Sequence, residues 1–299
     1  MNIAILADIH ANLHALEAVL RDLDTQRIDR LIINGDLVNR GPHNAEVIAR
    51  ATEAADLILL GNHDALVTKW IDHDDDIPPE WFDDPFWQGI AWGARQVPES
   101  GWLDTLRGLP FSHRLTENGA PGVLITHGSL RHYREGYGRF LNDYQLAEIV
   151  EEYPADIYVG AHTHRIMERP WGRHMFLNAG AVGAPFNRDT RAQYLILTLE
   201  DHAWRWTFRA VPYDLEAALA AYESTGYRAE GGVSADIFYE ELRHARALYA
   251  PYWMWAEQQS IPKRWQSWRR WRAEVGEPLF EPPKPRTGPP VPDRPHQED

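Results

Sequence analysis

MNIAILADIHANLHALEAVLRDLD, residues 1–24, contains in miniature the unit that the chain goes on to repeat. Ile3–Ala7 is an unbroken apolar run of strand length, and Asp8-Ile9-His10 follows at its end. From Asn12 to Asp24, Leu13, Leu16, Val19, Leu20 and Leu23 recur at helical spacing, with Asn12 placed to cap the helix. The pattern then returns twice. Leu31–Ile33 ends in Asn34-Gly35-Asp36, with a helix expected from Pro42 to about Ala51, and Leu57–Leu60 ends in Gly61-Asn62-His63-Asp64. Strand, polar loop and helix in alternation predict an α/β layered fold. In such sheets the chemistry gathers beyond the carboxyl ends of the strands, where Asp8, Asp36 and Asn62 all fall.

Outward from that stretch, residues 65–110 read as a helical insert rich in Trp and Asp. Strand patterns resume at Val123–Thr126, Ile157–Val159, Met175–Leu177, Tyr194–Leu199 and Ala203–Ala210, the last two forming a hairpin that turns near Glu200-Asp201. From Leu215 onward the chain reads as helices, and from about Gly276 it is a Pro-rich segment that cannot build a core. The expected organisation is a main domain over 1–212 carrying the 65–110 insert, a helical extension over 213–275 and a tail over 276–299.

Composition narrows the function classes. An apolar share of 44% suits a globular core, and the absence of Cys excludes disulfides and thiolate metal sites. The first apolar run is too short and too soon acidic for a signal peptide, and no stretch approaches the length of a membrane span. The expectation is a cytoplasmic protein with no membrane partner. A net charge of −14 repels polyanions, so stable binding of duplex nucleic acid is not expected. A negative protein that works on phosphates needs local positive charge, which divalent metals supply.

Five short motifs place hard or borderline metal ligands in loops directly after strands. They are Asp8-Ile9-His10, Gly35-Asp36, Gly61-Asn62-His63-Asp64, His127-Gly128 and Gly160-Ala161-His162-Thr163-His164. Carboxylates, imidazoles and a neutral amide without thiols suit Mn²⁺, Fe²⁺, Zn²⁺ or Ni²⁺. There are enough ligands for two ions sharing one bridging carboxylate. Each motif alone is weak: D-x-H is a common accident, and His162-Thr163-His164 alone fits a structural zinc or a surface pair. All five in this order, each at a strand end, are specific.

The set D-x-H…G-D…G-N-H-D…H-G…G-x-H-x-H resembles the calcineurin-like metallophosphoesterase superfamily over roughly residues 1–210. The resemblance implies an α/β fold of four layers, a central β-sandwich flanked by helices, with a two-metal site at one end. Carried over motif by motif, it implies that Asp8, His10 and His164 hold a first ion, that Asp36 bridges, and that Asn62, His127 and His162 complete a second. The cofactors implied are two divalent ions, manganese first, with iron, zinc or nickel as alternatives. His63 would meet the reacting phosphate as general acid or charge stabiliser, and Asp64 would orient His63 through its ring nitrogen. The implied reaction is in-line attack on phosphorus by a hydroxide bridging the ions, with His63 donating to the leaving oxygen.

The branch within the superfamily is divided. Gly35-Asp36-Leu37-Val38-Asn39-Arg40-Gly41-Pro42 resembles protein phosphatases and symmetrical dinucleoside-tetraphosphate hydrolases, in which the Arg clamps phosphate; Arg40 is therefore a candidate substrate contact. The doubled His162/His164 and Asn178–Pro185 resemble the small bacterial and archaeal phosphodiesterases instead. Phe186 stands where an Arg is frequent there, and Ala181 where Ser is usual. The leading expectation is hydrolysis of phosphodiester or phosphomonoester bonds in small phosphorylated molecules, nucleotides among them. Dinucleoside-polyphosphate hydrolysis and protein dephosphorylation are the alternatives. A scaffold without catalysis is disfavoured because all seven ligand positions and His63 are present.

Other residues carry plainer readings. His14 and His43 are expected on solvated helix faces, and Arg131, His132 and Arg134 divide evenly between anion binding and loop solvation. Trp70, Trp81, Trp87, Trp92 and Trp102 are expected to pack in a core sooner than to stack on a base, and Asp72–Asp76 to be a solvated loop. Trp265, Trp268, Trp271 and Val275 form a stripe on a helix starting at Pro262, read as docking on the parent domain or as a homo-oligomer contact.

Overall fold

The structure, a computed structural model, describes residues 1–117, 119–138 and 141–275. The Pro-rich tail read for residues 276–299 lies outside the described residues. In chain order come β1 (Asn2–Leu6), α1 (Leu13–Leu23), β2 (Arg30–Asn34), α2 (Asn44–Ala54), β3 (Leu57–Leu59) and α3 (Asn62–Asp72). The insert continues as α4 (Glu80–Asp83), a 3-10 turn (Pro85–Trp87), α5 (Gln88–Ser100) and α6 (Leu103–Arg107). Then follow β4 (Ser112–Leu115), β5 (Val123–Thr126), α7 (Asp143–Glu152), β6 (Ile157–Gly160), β7 (Ile166–Trp171) and β8 (His174–Ala179). The hairpin of β9 (Ala192–Glu200) and β10 (Ala203–Val211) precedes α8 (Leu215–Ser224), α9 (Tyr227–Glu230), α10 (Gly232–His244), α11 (Tyr249–Gln258) and α12 (Trp265–Glu274).

Two five-stranded sheets form, in the orders β10-β9-β1-β2-β3 and β4-β5-β6-β8-β7. β1, β2 and β3 run parallel, as do β5, β6 and β8, while β9 pairs antiparallel between β1 and β10, and β10, β4 and β7 are antiparallel edges. The strand pleat explains the layers. Ile3, Ile5, Ile32, Ile125, Val159, Leu177, Leu195 and Leu197 meet between the sheets. Their neighbours Ala4, Leu6, Leu31 and Ile33 point the other way, into a core shared with α1 and α2. Leu124, Tyr158 and Phe176, on the outer face of the second sheet, pack on Leu146 and Ile149 of α7. The central strands are thus buried on both sides, and for that reason they appear as unbroken apolar runs.

Three elements depart from the sequence reading. β4 is largely half-exposed and carries His113 and Arg114. β7 is an edge strand holding Glu168, Arg169 and Pro170, and an edge is where a sheet tolerates proline. The third is α7, opened by an Asn142–Gln145 capping box. The helix after β2 starts at Asn44, and the last helix at Trp265, each later than expected. In that last helix Trp268 and Trp271 are 1% exposed, whereas Trp265 and Val275 are 42% and 43% exposed, so only the middle of the stripe docks. The insert tryptophans pack as expected: Trp70, Trp87 and Trp92 are buried. Among the described residues no helix is long and apolar enough to cross a membrane.

Candidate metal centre

The loops after β1, β2, β5 and β6 and the first turn of α3 converge at one end of the sandwich. Their backbones are bent to do it. Asp8, His10, Asp36, His162 and His164 all have left-handed φ, between 52° and 65°. For residues with a Cβ this region is strained, and such strain gathers at functional sites. Gly35 and Gly61 let the second and third loops touch: a Cβ on Gly61 would lie 2.2 Å from the Asp36 backbone nitrogen, and one on Gly35 would lie 2.6 Å from Gly61.

Each carboxylate is anchored by one oxygen and left bare at the other. The His63 backbone N–H donates to Asp36 Oδ1 at 2.7 Å, and the His162 backbone N–H donates to Asp8 Oδ2 at 3.2 Å. Asp8 Oδ1 and Asp36 Oδ2 are buried with no hydrogen-bond partner. The rings are arranged in the same way. His10 Nδ1–H donates to the Val38 carbonyl at 3.3 Å, His164 Nδ1–H to Ala184 at 2.5 Å and His127 Nδ1–H to Asn34 at 2.8 Å. This makes Nδ1 the protonated nitrogen of neutral His10 and His164 and leaves their Nε2 atoms as lone pairs, while His127 Nε2 points into the same site.

Those lone pairs face other acceptors. His10 Nε2 and His164 Nε2 are 3.1 Å apart, and His127 Nε2 lies 3.0 Å from Asn62 Oδ1 and 3.3 Å from Asp36 Oδ2. His162 Nδ1 lies 2.6 Å from the same Asn62 oxygen. One ligand atom from each of Asp8, His10, Asp36 and His164 falls within 4.8 Å of the others. Acceptors crowded on acceptors are unfavourable without a cation between them. The donor set therefore fits divalent metal.

Protonation follows the same geometry. Burial keeps four rings neutral: it takes His10 down to about 3 and His162 to about 4, and holds His63 and His164 well below the usual histidine value. His127 goes the other way. Burial opposes its charge, but the Asp36 and Asp8 carboxylates push it up to about 10. Burial would also raise Asp36, yet the His127 and His63 rings hold it well below the carboxylate range. Asp8 is raised by burial more than His127 lowers it.

Asp64 does not orient His63. Its Oδ1 accepts from the backbone N–H groups of Leu37 and Val38, and its Oδ2 from those of Asp36 and Gly61. The reason is helical: adjacent residues on a helix do not face each other, and Asp64 at the third position of α3 turns back to cap the helix start. It fixes the Asp36 loop instead. The residue that reaches His63 is Asn39, whose amide nitrogen lies 2.9 Å from His63 Nδ1. Arg40 Nε lies 3.4 Å from His63 Nε2. A neutral ring accepts at one nitrogen only, so only one of these contacts is a hydrogen bond at a time, and a second ring proton would point at an N–H donor. Asn39 sits within the quoted Gly35–Pro42 segment, but nothing in its spacing marked it.

Arg40 is brought to the site, with its side chain 12% exposed and ion-paired to Glu241 of α10 at 2.5 Å. Arg131 is committed to Glu135 and Glu148, so that cation is balanced within the protein. Asp72 pairs with Arg107 and Asp76 with Lys69, in line with a solvated acidic loop. His14 and His43 are half-buried neighbours, 5.7 Å between ring centres.

The pattern of the calcineurin-like phosphoesterase family matches residues 1–165. The chain belongs to that family. Among solved structures, it is 26% identical to a metallophosphoesterase from Sphaerobacter thermophilus, with a TM-score of 0.63 over 82% of this chain and 99% of that one. A hypothetical protein from Pyrococcus horikoshii has the same fold, with a TM-score of 0.65, 19% identity and coverage of 82% and 99%. An uncharacterized protein from Methanocaldococcus jannaschii is 27% identical over 235 residues, 72% of this chain and 89% of that protein. The α/β sandwich with flanking helices is thus the family fold.

Proposed function

We propose that the protein hydrolyses phosphodiester or phosphomonoester bonds of small phosphorylated molecules, nucleotides among them, with two divalent ions bound. The observation that carries this is the pair of facing lone pairs on His10 and His164, beside the orphan oxygens of Asp8 and Asp36. Asp8, His10 and His164 would hold one ion, Asn62, His127 and His162 the other, and Asp36 would serve both. Manganese is the first choice, with iron, zinc and nickel suited to the same donors. Bound there, such ions supply Lewis acidity and lower the pKa of water toward neutrality.

The protein's own groups do the rest. His63 enters the reaction neutral, because burial, with the Arg40 cation beside it, outweighs the pull of Asp36. A phosphate beside it brings the negative charge that favours a second proton, so His63 can share that proton with the leaving oxygen. Arg40 offers the phosphate a planar guanidinium. Its position beside His63 favours one second reading, hydrolysis of dinucleoside polyphosphates, whose extra phosphates need a cation next to the metals.

The test strips the protein of metal and restores Mn²⁺, Ni²⁺, Zn²⁺ or Mg²⁺ in turn. Turnover of a phosphodiester, a phosphomonoester and a dinucleoside tetraphosphate is then measured beside Asp36→Asn and His63→Ala. Metal-restored turnover lost in both variants is the expected result, and failure to bind metal at all would sink the reading.

A further inference from the structure

Arg40 and Glu241 are 201 residues apart in sequence and form a charged pair in which Glu241 is buried and Arg40 largely so. The Glu241 side chain is 2% exposed, and its other oxygen, Oε1, accepts from the backbone N–H groups of Leu248 at 2.7 Å and Tyr249 at 2.8 Å. Those donors follow the turn at Ala245, whose left-handed φ of 48° brings the start of α11 back under α10. The carboxylate is therefore fixed by backbone and cannot swing away. Around the guanidinium stand three rings: Phe238 of α10 at 4.9 Å, Phe186 after β8 at 5.5 Å and Tyr249 of α11 at 5.8 Å. The Arg40 main chain is held as well, since the Tyr222 hydroxyl of α8 donates to its carbonyl at 2.7 Å.

A buried ion pair is a poor device for stability alone, because the cost of desolvating two charges consumes most of the attraction. This one sits where a phosphate would arrive. Of the guanidinium donors, Nη1 meets Glu241 and Nε faces His63, while Nη2 makes no hydrogen bond among the described residues. The fork is fixed on one side and presents its remaining N–H groups on the other.

We infer that Glu241 is a positioning residue, supplied by the C-terminal helices to hold Arg40 in the orientation that binds the substrate's phosphate. The inference rests on the phosphoesterase reading of the same site. Glu241→Gln keeps the shape of the side chain and an oxygen for the Leu248 and Tyr249 N–H groups, and removes the charge that orients Arg40. The manganese-loaded full-length protein and its Glu241→Gln, Arg40→Ala and double variants are compared by KM and kcat on a phosphodiester. Calorimetry gives the Kd for inorganic phosphate in each. Expected is a rise of about tenfold in KM and in phosphate Kd for Glu241→Gln, the scale of one charge-assisted hydrogen bond, with kcat changed less than KM. The double variant should be no weaker than Arg40→Ala alone.

Unchanged KM and phosphate Kd in Glu241→Gln, or losses that multiply in the double variant, overturn the proposal. If Glu241→Gln does not fold, Glu241→Asp, which keeps the charge but shortens its reach to Arg40 Nη1, takes its place; weaker phosphate binding supports the proposal and wild-type binding overturns it. A wild-type protein that binds phosphate without metal-dependent turnover defeats the phosphoesterase reading, and the phosphate Kd series still decides the role of Glu241. A wild-type protein that binds no phosphate overturns both.

Discussion

His127 holds a proton that a cation bound at its Nε2, as proposed, would have to displace. In the metal-free fold its pKa stands at about 10, so at neutral pH the ring is charged, and ligation through Nε2 requires it bare. Metal binding should therefore release a proton, and apparent affinity should rise by up to about tenfold per pH unit from 7 toward 10. Calorimetry in buffers of different ionisation heat counts that proton; a count of zero would remove His127 from the ligand set. Asn39 offers a second test at this scale. Asn39→Ala frees the His63 ring and should lower kcat by roughly ten- to a hundredfold while metal content stays the same. An unchanged kcat would leave His63 without an orienting partner. The cluster of Asp8, His10, Asp36 and His164 was legible because donor chemistry is written in residue type. The partner of Asp64 was not, because it depends on where α3 begins, and the left-handed φ values of Asp8, His10, Asp36, His162 and His164 leave no mark on a sequence.

At the scale of elements, insert and C-terminal helices share one aromatic core. Phe86 packs on Tyr249 and Tyr252, Trp87 on Trp253, and Tyr252 on Trp268 and Trp271. Trp268 also donates its indole N–H to Asp236 of α10 at 2.9 Å. Trp268→Ala should cost about 3–5 kcal/mol in urea denaturation, the range for deleting a large buried aromatic. A loss under about 1 kcal/mol would mean that α12 is an ornament on the fold. The clustering of Trp in two stretches was plain from the sequence, as was their packing character. That the two clusters would meet was not, because contacts between distant segments carry no local periodicity. The edge strands β4 and β7 escaped for a related reason: polar, half-exposed residues give no apolar run to follow.

For the molecule as a whole, the buried histidines set how stability depends on pH. His10 and His162 titrate near 3 and 4 when folded, against 6.5 for a free ring, and His63 and His164 are shifted the same way. The unfolded chain thus binds more protons below pH 6.5, so their contribution is full above 6.5 and fades as the pH falls toward 4. His127 does the reverse: its contribution is full below 6.5 and fades as the pH rises through 10. Four rings oppose one, with the raised Asp8, Asp64 and Glu241 carboxyls offsetting part of the loss, and urea midpoints of the metal-stripped protein should fall more steeply toward pH 5 than toward pH 9. A flat profile between pH 7 and 5 would contradict the buried neutral cluster. The shared aromatic core has a further consequence. Trp81 and Trp87 stack with their ring centres 3.7 Å apart at 17°, and Trp253 stands across Trp87 at 5.0 Å. Two indole chromophores that close couple their electronic transitions and split a circular-dichroism band. The Trp81–Trp87 band reports the packing of the insert, and the change it undergoes when Trp253 of α11 is replaced reports the docking of the C-terminal helices on it.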